Sequence, residues 1–198
     1  MKFRKLTGTH AGRIVLAAVP VAVVATIMMA GVANGAVPVS FDVSGSQFQI
    51  SATELTGSGF SQYAGVAKDT NDKEHSVAIA NIASASLADL CQSVVTETPL
   101  GKVGLLITAG GGGKPATATN LQIGMTDLKG DTSFGNIRIG VDASKVNTSP
   151  KGTAGDFAQD ADTIKISGLQ QTAWSTQASV FTLTGMHVQL TDGSKGCF

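Results

Sequence analysis

The chain has 198 residues, 14 Lys and Arg balanced by 14 Asp and Glu, and only two cysteines. That is one domain of ordinary size behind a leader, large enough to bury a core without depending on disulfides. Charge this sparse, with no cluster of Lys and Arg, excludes a nucleic-acid binder that works by neutralising phosphates.

The N-terminus is the first readable element. Lys2, Arg4, Lys5 and Arg13 make it basic, and Ile14 to Ala33 follow without a charge. A basic start, an apolar run and small residues behind it read as a signal peptide over residues 1–36, cut between Ala33 and Ala36. The run of about 20 residues is also long enough to cross a bilayer, so an uncleaved N-terminal membrane anchor is the alternative. Either way residues 37–198 are expected outside the cytoplasm, secreted or membrane-anchored, as a single β-rich domain, with the basic end left inside. Four basic residues go with the leader, leaving ten against 14 acids and a net charge of −4.

Beyond the leader, alternation of apolar and polar residues dominates. SQFQISATEL sets Phe48, Ile50 and Ala52 on one face. The stretch from His75 to Val94 is ambiguous: His75 to Ala80 alternate, while Ile79, Ile82, Ala83, Ser86, Leu87, Leu90 and Val94 fall at helical spacing. The reading favoured is a strand, a break near Asn81 to Ser84, and a second strand or short helix ending at Cys91. KVGLLITAG aligns Val103, Leu105 and Ile107, and Gly110 to Pro115 form a flexible loop. NLQIGM alternates through Leu121, Ile123 and Met125, and FGNIRIGVD aligns Ile137, Ile139 and Val141 opposite Arg138. Lys145 to Asp162 lack periodicity. DTIKISGL aligns Ile164 with Ile166, and SVFTLTGMHVQL carries Phe181 and Leu183, a break at Gly185, then Met186, Val188 and Leu190. Runs of four to eight residues bounded by Gly, Asp, Asn or Pro are the strand signature. The expected fold is therefore mostly β: short antiparallel strands in a curved sheet, sandwich or solenoid-like structure.

Motifs for chemistry are weak. GGGGK at residues 110–114 has Thr108 where a phosphate loop needs its first glycine and Pro115 where it needs Ser or Thr. No G-x-S-x-G elbow occurs, Ser58 has the wrong spacing, and only His75 and His187 remain beyond the leader to act as a base. Asp156, Asp160 and Asp162 lie close together but match no calcium loop, and the cysteines and histidines lack zinc spacing. Trp174 reads as a packed residue. No catalytic residue, cofactor or metal is expected. Two cysteines in an exported chain suggest a Cys91–Cys197 disulfide, with free thiols or an intermolecular bridge as alternatives.

The phrases SLADLCQSV, ATATNLQIGMTDL, FGNIRIGVDAS, DFAQDADTIKISGLQQTAWSTQASVFTL and the terminal Cys-Phe resemble a family of small exported actinobacterial proteins of unknown function. Some of its members are labelled cholesterol esterase. The resemblance covers roughly residues 45–198, implies an envelope or secreted protein of filamentous bacteria, and places the family's two cysteines at Cys91 and Cys197. It supplies no catalytic residues. The function expected is an exported, non-enzymatic cell-envelope protein, with an apolar face of Ile123, Ile137, Ile139 and Val141 holding a lipid or other apolar ligand. An ordinary dry core is the competing reading of those four residues. A lipid-ester hydrolase and a structural or assembly module with exposed strand edges are the alternatives. Lipid or membrane is the expected partner, nucleic acid is not, and the oligomeric state is open.

Overall fold

The computed structural model describes residues 42–43, 45–99 and 101–198. The leader reading falls outside these residues. Ten strands follow in order: β1 (Asp42–Val43), β2 (Phe48–Asp69), β3 (Glu74–Ala88), β4 (Leu90–Thr98), β5 (Gly101–Ala109), β6 (Ala116–Gly135), β7 (Arg138–Asp142), β8 (Phe157–Gln177), β9 (Val180–Thr182) and β10 (His187–Thr191). No α-helix occurs among the described residues; a 3-10 turn at Ala143–Lys145 is the one helical piece. The mostly β, antiparallel expectation holds, and of the forms considered the structure is a curved sheet closed into a small barrel. Among the described residues, only β1 against β2 is parallel.

The strands are longer than the sequence runs suggested. β2, β6 and β8 have 22, 20 and 21 residues, against about 5–6 for an ordinary strand. Glycines inside the ladder let it coil. Gly59 has φ 64° within β2, and Gly130 has φ 153° within β6 beside a register shift.

The stretch from His75 to Val94 is strand throughout, interrupted at Asp89 rather than near Asn81. Pairing with β2 keeps one register across the interruption, Glu54 opposite Ala88 and Ser51 opposite Cys91. Asp89 takes φ 49°, its carboxylate accepts from Thr53 Oγ1 at 2.8 Å, and its N–H donates to Gly110 O at 3.0 Å. This is where the long strand changes neighbours, from β6 beside β3 to β5 beside β4.

β2, β3, β6 and β8 form a circuit closed by pairing of Phe48–Ala52 with Leu169–Ala173. Ile50, Leu55, Phe60, Ile82, Leu121, Ile123, Met125, Ile164 and Leu169 fill its interior. Gly57 gauges the packing: an added Cβ would stand 2.5 Å from Ile82 Cγ2 and 3.2 Å from Ile164 Cγ2. A circuit this small has room for its own side chains and nothing more.

A second cluster lies on the outer face of β2 and β3, where Tyr63, Ala67, Val77 and Ile79 are covered by Ala143, Val146 and Ala158. The segment expected to lack periodicity is a loop only up to Asp156, and β8 begins at Phe157. The loop is held by polar groups. Asn81, 1% exposed, donates to Pro150 O at 3.3 Å and accepts from Gln122 Nε2 at 2.9 Å. Tyr63 OH donates to the same Pro150 O at 2.9 Å, and Ser61 Oγ meets Thr148 Oγ1. Burial raises the Tyr63 phenol above its ordinary value.

Candidate functional site

Beyond the barrel, β4, β5 and β10 continue the sheet outward from β2. Antiparallel register places paired residues on one face, so side-chain rows can be followed from the core to the edge. One row runs Ala173, Phe48, Val94, Leu105, Leu190. The next runs Gln171, Ile50, Gln92, Ile107, Val188. Along the first row exposure climbs from 0% at Ala173 to 77% at Leu190, with Phe48, Val94 and Leu105 half-buried between them. Val103, two residues before Leu105 on the same side of β5, is 42% exposed, and Val188 stands at 46%. The apolar face of the barrel core thus continues onto an open shelf.

The reverse face is covered by the tail around Cys91, Ser93 and Gly104 of β4 and β5. Cys91 bonds Cys197, and Cys197 N donates to Ser93 Oγ at 3.1 Å. A Cβ at Gly104 would stand 3.1 Å from Gly193 Cα, so the C-terminal tail lies directly on that side. The disulfide expectation is realised, and it ties down the tail over one face while the other stays open. The open face carries no charged side chain in its two rows. Glu97 and Lys102, paired at 3.7 Å, mark the far end of the β4–β5 hairpin.

The four residues of the expected ligand face do not share one. Ile123 is 5% exposed inside the barrel, Ile137 and Ile139 are 38% and 67% exposed, and Val141 packs half-buried on the second cluster. Two local devices break the alternation on which that expectation rested. Asn136 takes φ 54° and Gly140 φ 83°, and the β7–β8 register shifts between Ile139 and Val141. Each such step turns the following side chains to the opposite face.

The histidines and aspartates have other employment. His75 Nε2 lies 3.1 Å from Asp69 Oδ2, and its ring stacks on Trp174 with centroids 3.9 Å apart. Asp69 also accepts from the N–H groups of Asn71 and Lys73 at 2.8 and 3.1 Å. The His75 hydrogen bond, and after it the Asn71 N–H, holds the Asp69 carboxyl below its ordinary value. This constellation closes the β2–β3 hairpin. His187 is exposed on β10, and Ser58 faces Ser84 in mid-strand rather than at an elbow. Gly110–Pro115 is the β5–β6 connection, with Gly110 N donating to Thr184 O at 2.8 Å.

Asp160 is 0% exposed and accepts from Arg138 Nε at 2.8 Å, Arg138 Nη2 at 2.5 Å and Asn147 N at 2.8 Å. Asp162 instead accepts from Asn136 Nδ2 at 2.8 Å. Among the described residues no group of His, Cys, Asp or Glu is placed to hold a metal. Neither the Asp160 latch nor the Asn81 network has a signal in the linear sequence, because the partners lie far apart along the chain. The shelf did leave one: the alternations of KVGLLITAG and SVFTLTGMHVQL, read as strands but not as a pair.

No curated protein and no solved structure matches the chain. The family described as "Family of unknown function (DUF6230)" matches residues 44–198, the whole of the barrel, the shelf and the tail that covers its reverse face, and the chain belongs to that family.

Proposed function

We propose that this protein is an exported, non-enzymatic component of the cell envelope that associates with lipid through the open face of β4, β5 and β10. The observation that carries the reading is the row from Ala173 to Leu190, in which a buried core face runs uninterrupted to a side chain 77% exposed. Uncovered apolar patches continuous with a core mark interaction surfaces on soluble domains. The basic and apolar N-terminal sequence supports the exported address, and an actinobacterial envelope is the setting the resemblance implies.

An esterase, the label borne by some members of the resembled group, finds less support. His75 is bonded through Nε2 to a carboxylate and stacked on an indole, an arrangement that serves the hairpin. An assembly role rests on a separate observation. The other sheet edge, β7, carries Ile139 at 67% exposure and Phe157 close by at 65%.

The test is organic extraction of the exported protein, purified without detergent, followed by mass spectrometry of the lipids. Lipid that accompanies the unaltered protein and is lost in a Val188→Gln, Leu190→Gln variant supports the reading. Lipid-free protein that takes none up from an envelope lipid extract refutes it.

A further inference from the structure

The barrel interior is filled to the point that a single Cβ at Gly57 would collide with Ile82. The interior side chains are buried against one another, and the apolar surface exposed to lipid is external. That surface has the form of a shelf: three neighbouring strands, an apolar row on one face, no opposing wall, and the tail on the reverse of β4 and β5. A single extracted lipid needs a groove to shield it from water. An open uncharged sheet face suits a surface that is itself apolar and extended.

Two further observations choose between a bilayer and a second copy of the chain. The exposed parts of Val103, Val188 and Leu190 amount to about a few hundred Å² of apolar surface, short of the ~800 Å² per partner of a stable protein interface. A membrane contact needs less when it is intramolecular, because a tether supplies the effective concentration. In its reading as an uncleaved anchor, the N-terminal run is such a tether. The uncharged run Ile14 to Ala33 ends eight residues before β1 begins at Asp42, and eight extended residues reach no more than about 30 Å.

We propose that the β4–β5–β10 shelf is the face on which the domain rests against the lipid bilayer entered by its own N-terminal run, with Val188 and Leu190 in the acyl–headgroup boundary. The proposal rests on the lipid-association reading above and adds to it the physical state of the lipid and the residues that touch it.

The full chain is reconstituted into vesicles of phosphatidylcholine with a minor fraction of phosphatidylglycerol, in which part of the phosphatidylcholine carries brominated acyl chains. Bromine quenches a nearby indole. Trp174, the native tryptophan, is half-buried against His75 and stays in place as the internal baseline. Two variants each add one indole at an exposed strand position, Leu190→Trp on the shelf and Ile139→Trp on the β7 edge. The expected result is several-fold stronger quenching of the added indole at position 190 than at position 139. Equal quenching at both positions, or at neither, overturns the proposal. Lipid recovered by extraction without quenching at position 190 overturns it while leaving lipid association standing. Failure of both experiments removes the two together. A concentration-dependent dimer in sedimentation, dissolved by Leu190→Gln and accompanied by no quenching, would overturn the proposal and assign the shelf to a second copy.

Discussion

Removing the Asp160 carboxylate is expected to free the loop between Asp142 and Asp156 and to cost the fold about 2–3 kcal/mol. The carboxylate is fully buried and accepts three hydrogen bonds, two from the Arg138 fork and one from Asn147 N. Deleting one partner of a buried ion pair costs about 3–5 kcal/mol when the orphaned charge stays buried. Here the Arg138 side chain is 57% exposed, so water takes over part of its fork and the cost falls to the low end of the range or just below. Asn147 is itself exposed, which keeps the loss of its N–H partner near the lower limit of about 1–3 kcal/mol for an unsatisfied group. Asp160→Ala should therefore unfold at lower urea, with faster amide exchange over residues 144–155. A loss below about 1 kcal/mol, or unchanged exchange in the loop, would show that the latch does not hold it.

The same residue carries a pH signature. The hydrogen bond from Arg138 holds the Asp160 carboxyl below its ordinary value in spite of burial. With the folded value depressed, the unfolded chain takes up the proton first as pH falls. The stabilisation is complete above the unfolded carboxylate value of about 4 and is lost as pH drops through the folded value. Asp160→Asn should shrink this acid limb of the stability curve. It should not abolish it, since Asp69, Asp142 and Asp192 are lowered as well. An acid limb of unchanged slope in Asp160→Asn would refute the argument.

Three other outcomes are expected. Gly57→Ala should cost about 1–3 kcal/mol by overpacking the barrel, because its Cβ would meet Ile82 Cγ2 at 2.5 Å; a neutral effect in urea unfolding would mean that the interior has slack. Reducing Cys91–Cys197, which are 106 positions apart, should lower the thermal midpoint, with about 4–5 kcal/mol as the ceiling from loop entropy; an unshifted midpoint would show that the bond adds nothing. Val188→Gln with Leu190→Gln should leave stability within about 0.5 kcal/mol of the unaltered chain while lipid recovery falls, and unfolding of that variant would show that these side chains are core.

Much of the architecture was legible in the linear chain because strand alternation is a local property. Phe48 with Ile50, Leu121 with Ile123 and Met125, and Ile164 with Ile166 were read as apolar strand faces, and each set packs into the barrel. The disulfide was legible too, as the simplest use of two cysteines in an exported chain. The break expected near Asn81 to Ser84 lies at Asp89 instead, because an αL residue held by Thr53 and Gly110 cannot be read from spacing. The face of Ile137, Ile139 and Val141 failed for the same reason at Gly140, where a bulge resets the alternation. Which strands pair, and which paired faces remain uncovered, depends on contacts between residues far apart in the chain. Leu190 has the same local pattern as Ile123. One ends 77% exposed and the other 5%, because the barrel closes around Ile123 while nothing in the described chain folds back over β10.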